Sequence, residues 1–160
     1  MGNAVRATEG DSIWIEYQGD IGRELAQACA NYVRSIGGHP FMMDAGSRAL
    51  WDLFNEAKSS KDRDAFFTTE GEKLLQTMKT MQGYIRMCDR HESEAAGFDP
   101  KDMMDYRRLM MKEVTDHRVK KTRWLVVDSP TSEFAQSCDM SQAEFDSFYF
   151  DACMADYSKM

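Results

Sequence analysis

The chain has 160 residues, 42% of them hydrophobic and 29% charged, with a formal net charge of −7. That length and balance suit one domain, residues 1–160, built on a single core. A net-acidic surface repels phosphate backbones and anionic lipids, and no apolar run nears the roughly 18 residues of a membrane span, so neither nucleic acid nor a membrane is expected as a partner.

From the N-terminus, Ile13 to Tyr17 is apolar and aromatic between two glycines and reads as a strand. Ile21, Leu25, Cys29, Tyr32 and Ile36 then recur at helical spacing. Gly37-Gly38 ends that helix, and Pro40 to Met43 is a second short strand. Ser47 opens a helix carrying Leu50, Trp51 and Phe54, followed by a polar stretch, Lys58 to Asp64, that reads as a loop. Thr69 and Glu72 have capping-box spacing ahead of a face made by Leu74, Leu75, Met78 and Met81, although Gly71 weakens that turn. Tyr84 to Cys88 is a third strand, and His91 to Gly97 has no period and reads as a loop.

Asp99-Pro100 is a helix start, with Asp as N-cap and Pro where its missing N–H costs nothing. The stripe after it is Met103, Tyr106, Met110, Val114 and His117. Trp124 to Val127 is continuously apolar, the mark of a strand buried on both faces. Ser132 caps a short helix. Ser141 with Glu144 forms a capping box for the last one. Strands alternating with helices predict a three-layer α/β fold. Its sheet is four-stranded and mainly parallel, in the flavodoxin-like order 2-1-3-4.

Several chemistries are weighed and set aside. "QGDIGREL" lacks both the G-x-G-x-x-G fingerprint and the Lys-Ser/Thr pair of a phosphate loop, and Asp20 at the helix N-terminus repels phosphate. In "RHESE" the second histidine of HExxH is missing, and no G-x-S-x-G elbow surrounds Ser129 or Ser132. Cys29, Cys88, Cys138 and Cys153 have no CxxC spacing and are expected to be reduced and mostly buried, as in a cytoplasmic protein. In open parallel sheets, ligands gather beyond the carboxyl ends of the strands. Those ends carry Tyr17 and Gln18, Asp44, Asp89 and Arg90, and Asp128 and Ser129, which are the candidate site residues. Three aspartates there would suit Mg²⁺ in a phosphoryl-transfer or receiver-like site, but aspartate also favours strand ends because it caps turns, and that reading is preferred. Glu16 and Arg86 are charges inside neighbouring strands, and the cost of an unpaired buried charge predicts that they share a face and pair. The 13 methionines fill a core or make an adaptable apolar surface.

Three stretches carry a resemblance: "EGDSIWIEYQGDIGRELAQACANYVRSIGGHPFMM", "TRWLVVDSPTSEFAQ" and "MSQAEFDSFYFDACMADYSKM". In order and spacing they resemble the N-terminal domain of the aminopeptidase T and aminopeptidase S family of thermophilic-type metallopeptidases. The resemblance implies a cytoplasmic, homodimeric exopeptidase that releases N-terminal residues from peptides. It implies two divalent ions, Zn²⁺, Co²⁺ or Mg²⁺, acting as a two-metal clamp. The family's ligands lie in a C-terminal catalytic domain that the resemblance places outside this chain, and no residue here matches one. The implied role is a scaffold and substrate-cavity wall, inactive alone. The alternative is a stand-alone flavodoxin-like binding or interaction module.

Overall fold

A computed structural model describes residues 5–88 and 98–155. Its centre is a parallel sheet of β1 (Ser12–Gln18), β2 (His39–Asp44), β3 (Gly83–Cys88) and β4 (Arg123–Asp128), in the order β2-β1-β3-β4. This is the expected α/β architecture, strand order included. The first connection runs to one edge of the sheet and the third to the other. The chain therefore reverses direction between β1 and β3, the position where ligands bind in open sheets of this kind.

The helix α1 (Gly19–Ser35) covers one face. Its buried residues are Gly22, Ala26, Ala30 and Val33, packed on Ile13, Ile15, Ile85 and Met87. The predicted stripe is borne out in part: Leu25 and Cys29 pack against this core, but Ile21 is 40% and Tyr32 45% exposed. Small residues let the helix lie close to the isoleucines, so the alanines, not the largest apolar side chains, face inward. Gly37 follows at φ +80°, a conformation that Cβ-bearing residues rarely adopt, and its N–H closes the helix on the Arg34 carbonyl. Asp20 lies in the first turn of α1, at the helix N-terminus as the sequence predicts, exposed and 3.9 Å from Arg23; the N-cap residue is Gln18.

The opposite face holds α2 (Ser47–Ser59), α3 (Arg63–Lys79), α4 (Pro100–Asp105), a π-helical turn (Tyr106–Met111) and α5 (Lys112–Lys121). Trp14 and Tyr84 pack there against Met78 and Val114. A second core joins Phe54 and Ala57 of α2, Phe67 of α3 and Met110 of the π turn. Asp99 caps α4 through the Lys101 N–H at 2.7 Å, with Pro100 in the first turn, as the sequence predicts. After β4 come α6 (Ser132–Ser137) and α7 (Gln142–Met154); the N-cap of α6 is Thr131, whose hydroxyl accepts the Phe134 N–H, and not Ser132 as the sequence predicts, whereas α7 opens on the predicted Ser141–Glu144 capping box.

Further local expectations are corrected. The N-cap of α2 is Gly46, one residue before Ser47. The stretch Lys58 to Asp64 is not a loop throughout: α2 runs to Ser59, and α3 begins at Arg63, where Asp62 accepts the Ala65 N–H at 3.0 Å. Thr69 and Glu72 therefore lie inside α3 and cap nothing. Strand β4 is an edge strand, with Trp124 45% and Val126 42% exposed, and is not buried on both faces. The cysteines are free thiols, but Cys138 and Cys153 are exposed. The loop expected at His91 to Gly97 lies outside the described residues.

Gly71, read from the sequence as a weak point, is a contact. A Cβ there would lie 2.7 Å from the Met110 carbonyl oxygen and 2.9 Å from the Met110 Cα. The backbone of the π turn rests directly on α3, and only glycine leaves room. Gly→Ala at an open helix site stabilises by about 1 kcal/mol. Here the overpacking cost governs, and Gly71→Ala is expected to destabilise by about 1–3 kcal/mol in urea unfolding. A stabilised variant would mean that the two backbones are not in contact.

Candidate functional site

Register decides which strand residues meet. Glu16 of β1 lies directly opposite Arg86 of β3, so both side chains share the face covered by α3 and α5. Arg86 Nε lies 3.3 Å from Glu16 Oε1, which is the pairing expected from the sequence. Tyr84, two residues back on β3 and on the same face, donates its hydroxyl to Glu16 Oε2 at 2.8 Å. Glu16 is 5% exposed, and both of its oxygens are engaged. Burial opposes charge on Arg86, but the adjacent Glu16 carboxylate holds its pKa above the usual arginine value. Burial first, then the Glu16 charge, pushes the Tyr84 phenol up, so it stays a donor.

This pair forms the floor of a cleft of about 430 Å³ between the carboxyl ends of β1 and β3. Gln18 and Ala45 line its β1–β2 side, and Leu50 and Phe98 close it on the α2 side. The far wall is one helical face: Arg107, Met111, Thr115 and Arg118, spaced i, i+4, i+8 and i+11 through the π turn into α5. Tyr106 completes that wall; burial, then the nearby Glu16 carboxylate, pushes its phenol up to about 12. Arg118 stacks with its guanidinium carbon 4.6 Å from the Tyr84 ring centroid and 6.0 Å from that of Trp124. Its Nε is buried without a hydrogen-bond partner among the described residues. The π turn puts an irregular, wide helical segment at the cleft, as π turns often do at functional sites.

An ionic brace holds this wall. Arg63 of α3 lies 2.6 Å from Asp102 and 3.2 Å from Asp105 of α4, and Lys58 of α2 lies 3.2 Å from Asp102. Lys101 and Arg108 reach Asp105 at 2.7 and 3.4 Å. The Lys101 hydrogen bond, more than any other contact, holds the Asp105 carboxyl below the usual carboxylate range.

The predicted strand-end residues do not gather at one point. Gln18 lines the cleft, but Tyr17 faces the other side of the sheet and packs in the α1 core. Asp44 caps a turn, accepting the Gly46 N–H at 2.8 Å. Asp128 lies at the end of the far edge strand, where its carbonyl accepts the Tyr149 hydroxyl at 2.7 Å. Asp44 and Asp128 are on opposite faces and about 14 Å apart across three strand spacings, so they cannot share one ion. Asp89 and Arg90 lie outside the described residues. Ser129 is 1% exposed, and its hydroxyl has no hydrogen-bond partner among the described residues.

Sequence reasoning missed Arg107, Thr115 and Arg118. The signal is in the spacing: they occupy one face of a helix, beside the methionine stripe. Among the described residues no three His, Cys, Asp or Glu side chains are placed to hold a metal ion, and no helix is long and apolar enough to cross a membrane.

The molecule is thus an open parallel α/β domain with a cleft at the switch point of its sheet. Residues 2–159 match the profile of the thermophilic metalloprotease (M29) family, the aminopeptidase T and S family, and the chain belongs to it. A search of curated proteins finds no match.

Two predictions follow from this geometry. A buried unpartnered hydroxyl costs about 1–3 kcal/mol, so Ser129→Ala should leave thermal stability unchanged or raise it; a clear loss would mean that the hydroxyl has a partner. Asp105 has a depressed folded-state pKa, so its stabilising effect is present above the unfolded aspartate value, ~3.9, and is lost as pH falls through the lower folded value. Melting temperature should therefore fall on the acid side, and Asp105→Asn should flatten that limb; an unchanged acid limb would remove Asp105 from the brace.

Proposed function

We propose that this chain is the scaffold and substrate-cavity domain of a metal-dependent aminopeptidase that releases N-terminal amino acids from peptides. Family membership over residues 2–159 carries the reading. The family is metal-dependent. Its metal chemistry polarises the scissile carbonyl and lowers the pKa of bound water. The described residues do not fit that role: Asp44 and Asp128 are held apart by the sheet, and His39 sits at the amino end of β2 while His117 lies on α5. No catalytic step is assigned to this chain.

The reading places the metal-bearing catalytic domain outside these residues, in a cytoplasmic homodimer. Two observations support a covering partner surface. Trp124 and Val126 are exposed on the edge strand, and Phe148 (60%), Phe150 (45%) and Met154 (83%) are exposed on α7. Isolated domains rarely leave such apolar area open to water.

The 160-residue chain, assayed with leucyl aryl-amides and Zn²⁺, Co²⁺ or Mg²⁺, is expected to show no turnover above the metal blank. Metal-dependent hydrolysis that survives repurification would overturn the reading.

A further inference from the structure

We propose that the switch-point cleft is a carboxylate-binding site for a small organic acid with an apolar body, the chemistry shared by an N-acyl amino acid and the C-terminal end of a short peptide. The protein as a whole is strongly acidic, yet the described lining of this cleft carries three arginines against one glutamate. Glu16 is the one carboxylate among its described lining residues, and Arg86 and Tyr84 already engage it. Arg118 already contacts Tyr84, but among the described residues neither it nor Arg107 has a carboxylate partner, and the buried Arg118 Nε has no acceptor there. A planar guanidinium matches a carboxylate in a two-point fork, and burial strengthens that bond.

The remaining walls decide between anions. Leu50, Phe98 and Met111 offer apolar and aromatic surface, which a bare inorganic ion does not use. The volume of about 430 Å³ is within the range of small-molecule sites. An ammonium next to the carboxylate would face the arginines, so a free amino acid is disfavoured relative to its N-acyl form. The proposal concerns binding by this chain and stands whether or not the peptidase reading does.

The test is calorimetric titration of the whole chain with N-acetyl-leucine, N-acetyl-leucinamide, leucine, trileucine and inorganic phosphate. Saturable binding of N-acetyl-leucine is expected, weakened by salt, with leucine at least about tenfold weaker and the amide undetectable. Arg107→Gln, at an exposed position where folding is not at stake, should weaken binding about tenfold, and Arg118→Gln by more. Trileucine binding alongside N-acetyl-leucine would assign the peptide end as a ligand; N-acetyl-leucine alone would assign the small acid, and both support the site. Equal binding of acid and amide, phosphate binding as tightly as N-acetyl-leucine, or unchanged affinity in Arg107→Gln would overturn it.

Discussion

A glutamate in the middle of a buried strand is costly unless its charge is met. Glu16 is met twice, by the Arg86 guanidinium across the strand pair and by the Tyr84 hydroxyl beneath it. The contact works only in one register. A shift of one residue between β1 and β3 would send Glu16 and Arg86 to opposite faces and separate the buried carboxylate from its half-buried partner. The pair thus fixes the alignment of the two central strands at the point where the chain reverses direction. It also sets the electrostatics of the cleft above it. With Glu16 neutralised locally, the arginines of the facing helix are left to dominate.

The wall that carries those arginines needs its own support. A π turn widens the helix between α4 and α5 and pushes its backbone onto α3, where Gly71 makes the approach possible. Two nearly buried aspartates, Asp102 and Asp105, tie the start of the same segment to Lys58 and Arg63. Packing and charge act on different ends of one wall. Loss of either would change where Arg107 and Arg118 sit relative to the floor.

Much of this was legible in the residues. Alternating strand and helix patterns gave the layers and the strand order, and the cost of burying charge gave the Glu16–Arg86 pair. Local chemistry gave the Asp99 and Ser141 caps. What escaped notice depended on distance in three dimensions. Gly71 looks like a helix flaw until the Met110 backbone is placed beside it. Trp124 and Val126 read as buried because their pattern is apolar, whereas β4 lies at an edge with little above it. The α1 stripe holds for Leu25 and Cys29, but Ile21 and Tyr32 turn outward because the tight contact on the sheet selects alanine. Of the strand-end candidates, Gln18 alone of those described lines the cleft, since aspartates at strand ends often serve turns, as Asp44 does.

Family membership and the cleft describe different parts of one molecule. The first ties the chain to metal-dependent peptide hydrolysis, whose ligands the described residues do not assemble. The second is a cleft built from this chain's own residues. The cleft rests on β1 and β3 being held as a unit by their central charges. A double-mutant cycle of Glu16→Gln and Arg86→Gln, read by urea unfolding, tests that coupling directly. Arg86 is 37% exposed at its side chain, so solvent screening lowers the value below that of a fully buried pair. A coupling of about 1 kcal/mol or more is predicted. Additive single effects, with coupling below about 0.3 kcal/mol, would contradict the account.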